Sequence, residues 1–247
     1  MSWQEAYMNR FYRSRPEWSD GTTEFHALCA ARIPLGSRIL EIGAGPSNQT
    51  SAFLANLGEL HGVDIDPEIS SNQFLISSAL IEGGRFPYED CSMDACVSNY
   101  VLEHVEDPHS HLVEVTRVLK PGGLYLFRTP NKFHYVSLVA RITPHWFHHL
   151  VANRLRNKPA GDHEPYPTFH RLNSRRDIFR HAKSAWLQVD ELRCVEKEPS
   201  YGFKARPLFF GMMLFERLVN STNYFSGMRA NIFGVLRRAV PTGPSSC

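Results

Sequence analysis

Two glycines one residue apart, Gly43 and Gly45, follow an acid, Glu41, at the end of an apolar run, and a second acid, Asp64, stands 19 residues beyond Gly45. These types at this spacing suit nucleotide chemistry. Glycine lacks Cβ and adopts positive φ, so a Gly-x-Gly turn lets the backbone approach a ligand closely. An acid that closes the second strand of a β-α-β unit about 20 residues on accepts hydrogen bonds from ribose hydroxyls. A second group of chemistry-bearing residues is histidine: His134, His145, His148, His149, His163 and His170 crowd residues 132–173. His145 and His149 are i, i+4 on a helix and raise a metal reading, but no carboxylate or third ligand follows at a telling distance, so no metal is expected.

The elements that must position these residues can be read from the pattern. Arg38 to Ile42 is a buried strand that ends in the glycine turn, and Gln49 to Leu57 is the helix it feeds, whose first amides would face the ligand. Leu60 to Ile65 is a second strand with Asp64 at its carboxyl end. Asp66-Pro67 fits an N-cap followed by proline at the first helical position, which gives Asp66 a structural task. Asn72 to Arg85 has no clear assignment, and 86–94 reads as a loop. Ala95 to Tyr100 is a further strand. Glu106-Asp107-Pro108 opens a helix over His109 to Leu119, with a stripe of Leu112, Val115, Val118 and Leu119. Lys120-Pro121-Gly122-Gly123 stops it before a strand over 124–129. Strands alternating with helices predict a parallel sheet with right-handed crossovers and a ligand at the strands' carboxyl ends.

The flanks are less regular. Residues 2–15 place Trp3, Tyr7 and Phe11 on one helix face, either a lid over the ligand site or a surface packed on the core. Thr22 or Thr23 would cap a helix from Glu24 to Ala31. After the insertion, a helix opens at Ser174, a half-exposed strand covers 189–195, an apolar helix covers 207–219, and a last strand covers 230–238. The expected division is an N-terminal helical cap (1–34), a cofactor-binding core (35–131), an insertion or substrate cap (132–173) and a C-terminal completion of the sheet (174–247).

Composition sets outer bounds. At 247 residues, with 43% apolar and 21% charged residues, the chain can bury a full core. The net charge of +2 divides into −8 for residues 1–130 and +10 for residues 131–247. That asymmetry suggests an anionic partner for the second half, or mutual neutralisation of the halves. Five cysteines (29, 91, 96, 194, 247), with no CxxC pair, read as reduced, mostly buried thiols. Trp3, Glu5 and Arg10 interrupt the place of a signal-peptide apolar core, and the apolar run 207–215 is too short for a bilayer, which takes about 20 residues. A cytoplasmic protein is expected.

Four stretches in order, LEIGAG (40–45), VDID (63–66), FPYEDCSMDACVSNYVLEHVEDP (86–108) and LKPGGLYL (119–126), resemble class I S-adenosylmethionine-dependent methyltransferases of the small-molecule, type 11-like group. The resemblance covers residues 35–131 well and the ends loosely. It implies an α/β fold: a Rossmann-like, doubly wound, mostly parallel seven-stranded sheet, with helices on both faces and an insertion after the fifth strand. It also implies S-adenosyl-L-methionine as cofactor. Glu41, Gly43, Ala44 and Gly45 then form the loop under the methionine moiety. Asp64 becomes the ribose acceptor, Ile65 an apolar contact to adenine, and Asn99 a contact near the amino-acid portion. Glu82 stands where such proteins often place an adenine-contacting Asp. Ser47 stands where many members have a third glycine.

A methyl acceptor hydroxyl benefits from a base, and His104, at the mouth of the 95–100 strand, is the first candidate because imidazole titrates near neutral pH. Glu103 is the second. His163, His170, Tyr166 and Arg171 are possible lining of an acceptor pocket. The acceptor is expected to be a small molecule, sugar, glycan or lipid-linked compound bearing a hydroxyl or amine. The apolar 207–219 helix would suit peripheral membrane contact, or ordinary core, or a dimer face, so that a monomer and a homodimer stay open. Two rival functions remain. A nicotinamide-dependent oxidoreductase is disfavoured by the missing third glycine and by the absence of a Tyr-x-x-x-Lys pair; a non-catalytic binding module is disfavoured by the intact Glu41, Gly43, Gly45 and Asp64. No nucleic acid is expected, because the basic residues form no dense stripe.

Overall fold

A computed structural model describes residues 2–135, 166–197 and 205–240. His145, His148, His149 and His163, most of the expected insertion and the tail from 241 lie outside the described residues. The chain divides into two compact units, neither continuous in sequence: residues 25–130, 167–193 and 232–247 form the larger, and 1–24, 131–166 and 194–231 the smaller.

The larger unit is built on a seven-stranded sheet. Its strands are β1 (Ser37–Ile42), β2 (Gly58–Asp64), β3 (Ser77–Leu80), β4 (Met93–Asn99), β5 (Leu119–Pro130), β6 (Leu187–Val195) and β7 (Asn231–Arg238), in the order β3-β2-β1-β4-β5-β7-β6. The pairs β1–β2, β1–β4, β2–β3 and β4–β5 are parallel, and one antiparallel hairpin makes the sheet mixed. This is the expected Rossmann-like α/β class. β1 is buried at all but one position, as a central parallel strand covered on both faces should be. From β1 the chain winds outward to β2 and β3, then returns to the other side of β1 for β4. The order therefore reverses between β1 and β4, the switch point where such sheets bind ligands.

Helices α2 (Gly21–Arg32), α3 (Gln49–Leu54), α4 (Pro108–Val118) and α5 (Arg175–Ser184) belong with this sheet. α4 buries Leu112, Val115 and Val118 as its stripe predicts, and Asp107 caps it through the amides of His109 and Ser110. α2 is capped by Asp20, which accepts from the amides of Thr22 and Thr23, and not by either threonine. The expected stop over 120–123 is part of β5. Leu119 pairs with Met93 and Leu124 with Ala95, so the Lys120-Pro121-Gly122-Gly123 stretch is extra length carried as a bulge in the strand.

In the smaller unit, α1 (Trp3–Met8) continues as a π-helical turn over Asn9–Arg13 and packs on α6 (Arg206–Ser221). Ser2 and Glu5 form a capping box at the start of α1. Trp3, Tyr7 and Phe11 each lie within 6.5 Å of the Phe209 ring, so the aromatic face is a packed one. Beneath it the Tyr12 hydroxyl donates to Glu216 at 3.1 Å. Among the described residues no helix is long and apolar enough to cross a membrane. Cys29, Cys96 and Cys194 are buried thiols outside any disulfide, as expected, whereas Cys91 is disulfide-bonded, against the expectation of reduced thiols throughout.

Candidate functional site

The sheet brings the carboxyl ends of β1, β2 and β4 together, and the expected residues gather there. Gly43 and Gly45 both have positive φ, 70° and 54°, which makes the turn after β1 a glycine turn by backbone need. The two differ in what surrounds them. A Cβ on Gly43 would lie 2.4 Å from Val101 Cγ2, so this glycine is required by the segment after β4 and not by a ligand. A Cβ on Gly45 would meet only Asp64 Oδ2, at 4.0 Å, so the turn is open on that side. The Gly45 amide donates to Asp64 Oδ2 at 2.8 Å, and the Asp66 amide donates to Oδ1 at 3.0 Å. An ionised carboxylate has about four lone-pair positions, so two remain for further donors.

Behind the turn sits Glu41, only 3% exposed, which accepts from the Ser51 hydroxyl at 2.7 Å. Burial, reinforced by the nearby charge of Asp64, pushes its carboxyl up to about 7 against the lowering effect of the Ser51 hydrogen bond. Ala44 is buried, and its carbonyl accepts from the Asn48 side chain at 2.8 Å. The expectation that the first amides of α3 face a ligand does not hold. Asn48 caps this short helix, taking the amides of Thr50 and Ser51 on its own Oδ1. Ser47, in place of a third glycine, anchors the turn with its hydroxyl, donating to the Ser71 carbonyl and accepting from the Gln73 amide.

Ile65, beyond Asp64, is 59% exposed, an apolar surface at the strand end. The Ile81 amide donates to the Asp64 carbonyl at 2.8 Å, which brings exposed Glu82 one residue past that backbone partner. Asn99 closes β4. Its Nδ2 donates to Thr50 Oγ1 at 3.1 Å, while its Oδ1 is buried with no hydrogen-bond partner. A buried acceptor left unmet costs about 1–3 kcal/mol, which points to a donor supplied by a ligand.

The next residue, Tyr100, holds φ 61°, a conformation rare for a side chain of its size, with the Arg128 guanidinium 4.4 Å from its ring centroid. The chain then makes a 3-10 turn over Leu102–His104. The two proposed proton carriers part company here. His104 is half-buried, and its Nδ1 bonds the Pro167 carbonyl at 2.9 Å. A carbonyl only accepts, so Nδ1 carries the proton and the lone pair of the neutral ring lies on Nε2. Glu103 is buried, accepts from the Thr129 hydroxyl at 3.2 Å, and has its carboxyl raised by burial. Its backbone carbonyl accepts from the amides of Phe169 and His170, so 167–170 is tied to this turn through both residues. Arg171 reaches back to the Glu106 carbonyl at 2.5 Å. Tyr166 belongs to the smaller unit.

Sequence reasoning missed Thr50, Ser51, Asn72, Tyr100 and Val101. The hydroxyl pair at the start of α3 was a usable signal for the first two. Asn72, whose Nδ2 bonds the Gly45 carbonyl at 3.1 Å and Ser51 Oγ at 2.9 Å, lay in the stretch without an assignment. Among the described residues no group of three His, Cys, Asp or Glu is placed to hold a metal ion.

Residues 40–127 match the family model described as Methyltransferase domain. Proteins named uncharacterized methyltransferase from Mycobacterium sp. (strain JLS) and Mycobacterium tuberculosis are each 36% identical over 99 and 98 residues. Each match takes in 37% of this chain and 38% of the relative, so the chain spans under two-fifths of the length of the curated relatives it matches. Similar solved structures include a complex between the Haloferax volcanii Trm112 methyltransferase activator and a methyltransferase (TM-score 0.58, 17% identity, 90% of this chain and 93% of that one). They also include geranyl diphosphate C-methyltransferase from Streptomyces coelicolor, complexed with Mg2+, geranyl diphosphate and S-adenosyl-L-homocysteine (0.55, 15%, 88% and 81%). The [4+2]-cyclase SpnF shares the fold as well (0.56, 16%, 92% and 84%). These likenesses show the fold, and residues 40–127 match a methyltransferase domain.

Proposed function

We propose that the chain is a class I S-adenosylmethionine-dependent methyltransferase that transfers a methyl group to a hydroxyl or amine of a small-molecule, sugar, glycan or lipid-linked acceptor. The observation that supports the reading is the bond between Gly45 and Asp64, which ties the acid that closes β2 to the glycine turn at the switch point of the sheet. The residues fit the cofactor. Asp64 has lone pairs left for two ribose hydroxyls, exposed Ile65 offers adenine an apolar face with Glu82 nearby, and the unmet Asn99 Oδ1 suits the α-amino group. Glu41 and Ala44 support the turn from behind, and Gly45 leaves its front open.

When bound, the cofactor supplies a methyl already activated by its sulfonium. The protein's own contribution is then alignment of the acceptor and management of one proton. His104 is the base: Pro167 fixes its tautomer and ring plane, and Nε2 would take up the acceptor hydroxyl's proton as the methyl's bond to sulfur breaks and its bond to oxygen forms. Glu103, buried against Thr129, holds the turn that carries His104 and acts as a positioning residue. An amine acceptor would depend less on His104.

Because a cyclase shares this fold, methyl transfer must be tested directly. Binding of S-adenosylhomocysteine and of NAD, measured by calorimetry and thermal shift, separates the main readings. Stabilisation by S-adenosylhomocysteine is expected, and stabilisation by NAD alone would replace the reading with an oxidoreductase. Binding without turnover over a broad acceptor panel would favour a binding module.

A further inference from the structure

Helix α6 is apolar on two opposite faces. Its inner arc buries Phe209 and Val219, and the Phe209 ring meets Trp3, Tyr7 and Phe11 of the N-terminal helix. On the outer arc Phe210, Leu214 and Leu218 follow at i, i+4 and i+8, exposed by 40%, 70% and 53%. Pro207 and Gly211, also exposed, lie on the same arc. A helix face turned to water is normally polar, and an exposed apolar stripe marks an interaction surface. The turn that follows adds Tyr224, 89% exposed, and Met228.

Among the described residues, the exposed charges set beside this stripe by sequence or ring contact are arginines. The single acid of α6, Glu216, is buried and held by the Tyr12 hydroxyl and the Asn220 side chain. At the helix start Arg206 is exposed. Arg10, also exposed, lies 5.4 Å from the Phe11 ring centroid, and that ring lies 5.9 Å from Phe210. Neither arginine has a carboxylate partner among the described residues. The nearest acid of α1, Glu5, is engaged in the Ser2 capping box.

We propose that the outer face of α6 docks on an anionic lipid surface, with Phe210, Leu214 and Leu218 entering the headgroup–acyl boundary and Arg10 and Arg206 meeting lipid phosphates. Aromatic and aliphatic anchors beside arginines are the composition of an interfacial helix. Phe210 to Leu218 extends about 12 Å along one helix. That is narrow for a stable protein contact, which buries on the order of 800 Å² per partner. A bilayer accepts a single inserted stripe, and its negative surface potential attracts the arginines. This inference does not depend on methyl transfer.

The test is flotation of the full chain with phosphatidylcholine vesicles, with and without phosphatidylglycerol. Binding is expected to the mixed vesicles and to be much weaker to phosphatidylcholine alone. The double variant Leu214→Gln/Leu218→Gln should lose roughly 30-fold in affinity, and Arg10→Gln/Arg206→Gln should lose about tenfold or more on anionic vesicles only. These side chains face solvent, so unchanged circular dichroism and melting would show the fold intact. Absence of vesicle binding, or equal binding by the leucine variant, would overturn the proposal. So would a wild-type dimer that the same leucine pair dissociates, since the face would then belong to a second copy.

Discussion

The Asp64 carboxylate accepts the Gly45 amide at 2.8 Å, which joins the end of β2 to the turn after β1 across 19 residues of chain. Its other oxygen holds the Asp66 amide. Asp64→Ala should therefore lower S-adenosylhomocysteine affinity by about 100-fold or more and cost roughly 1–3 kcal/mol of stability through two orphaned amides. Asp64→Asn should fail in part as well, because its amide NH2 would face one of two N–H donors. Calorimetry on both variants decides this, and wild-type affinity in Asp64→Ala would remove the assignment.

His104 carries a different expectation. His104→Ala should bind S-adenosylhomocysteine within about twofold of wild type while kcat on a hydroxyl acceptor falls about 10²- to 10⁴-fold. His104→Gln separates the roles, since its side-chain amide can still donate to the Pro167 carbonyl but cannot take up a proton. Loss of turnover in both variants, with S-adenosylhomocysteine affinity kept, supports the base. Recovery of wild-type turnover by His104→Gln would leave His104 with positioning alone.

Glu41 gives a pH signature. Its folded carboxyl lies at about 7 against an ordinary value of 4.5. Between these values the folded chain retains a proton that the unfolded chain releases, so its stability contribution is full below pH 4.5 and is lost as pH rises through 7. The loss should amount to about 3 kcal/mol at most. Denaturant melts of wild type and Glu41→Gln across that window should differ in slope, with the variant flatter. Parallel slopes would show that Glu41 does not titrate there.

His134 works in the opposite direction. Burial pushes its imidazole down to about 4, with Glu196 Oε2 3.4 Å from Nε2. An unfolded histidine gains its proton near 6.5. Stability from this residue is thus present above 6.5 and declines as pH falls toward 4. His134→Gln should blunt acid unfolding in that range, and an unchanged acid midpoint would contradict the assignment.

Tyr12 and Glu216 offer a test of packing in the smaller unit. Tyr12→Phe leaves a buried carboxylate without its hydroxyl donor and should destabilise by roughly 1–3 kcal/mol. Adding Glu216→Gln should restore part of that loss, a non-additivity that a double-mutant cycle measures. Additive effects would mean that the 3.1 Å bond contributes nothing specific.

Local pattern alone specified the strand over 38–42 and its glycine turn, the strand ending at Asp64, the helix start at 106–108 and the apolar stripe of α4. It could do so because glycine, proline, capping residues and periodicity act on the backbone within a few positions of themselves. It also set Asp64 at the carboxyl end of β2, since strand and helix lengths set where that strand must stop. Val101 filling the space beside Gly43, Pro167 orienting His104 and Thr129 bonding buried Glu103 are set by the tertiary structure. Only it left one face of α6 apolar and uncovered. Each of these depends on which partner fills the space around a side chain, and the partners named are tens of residues away. Local propensity carries no record of them. Packing, burial and the loss of water around each group do.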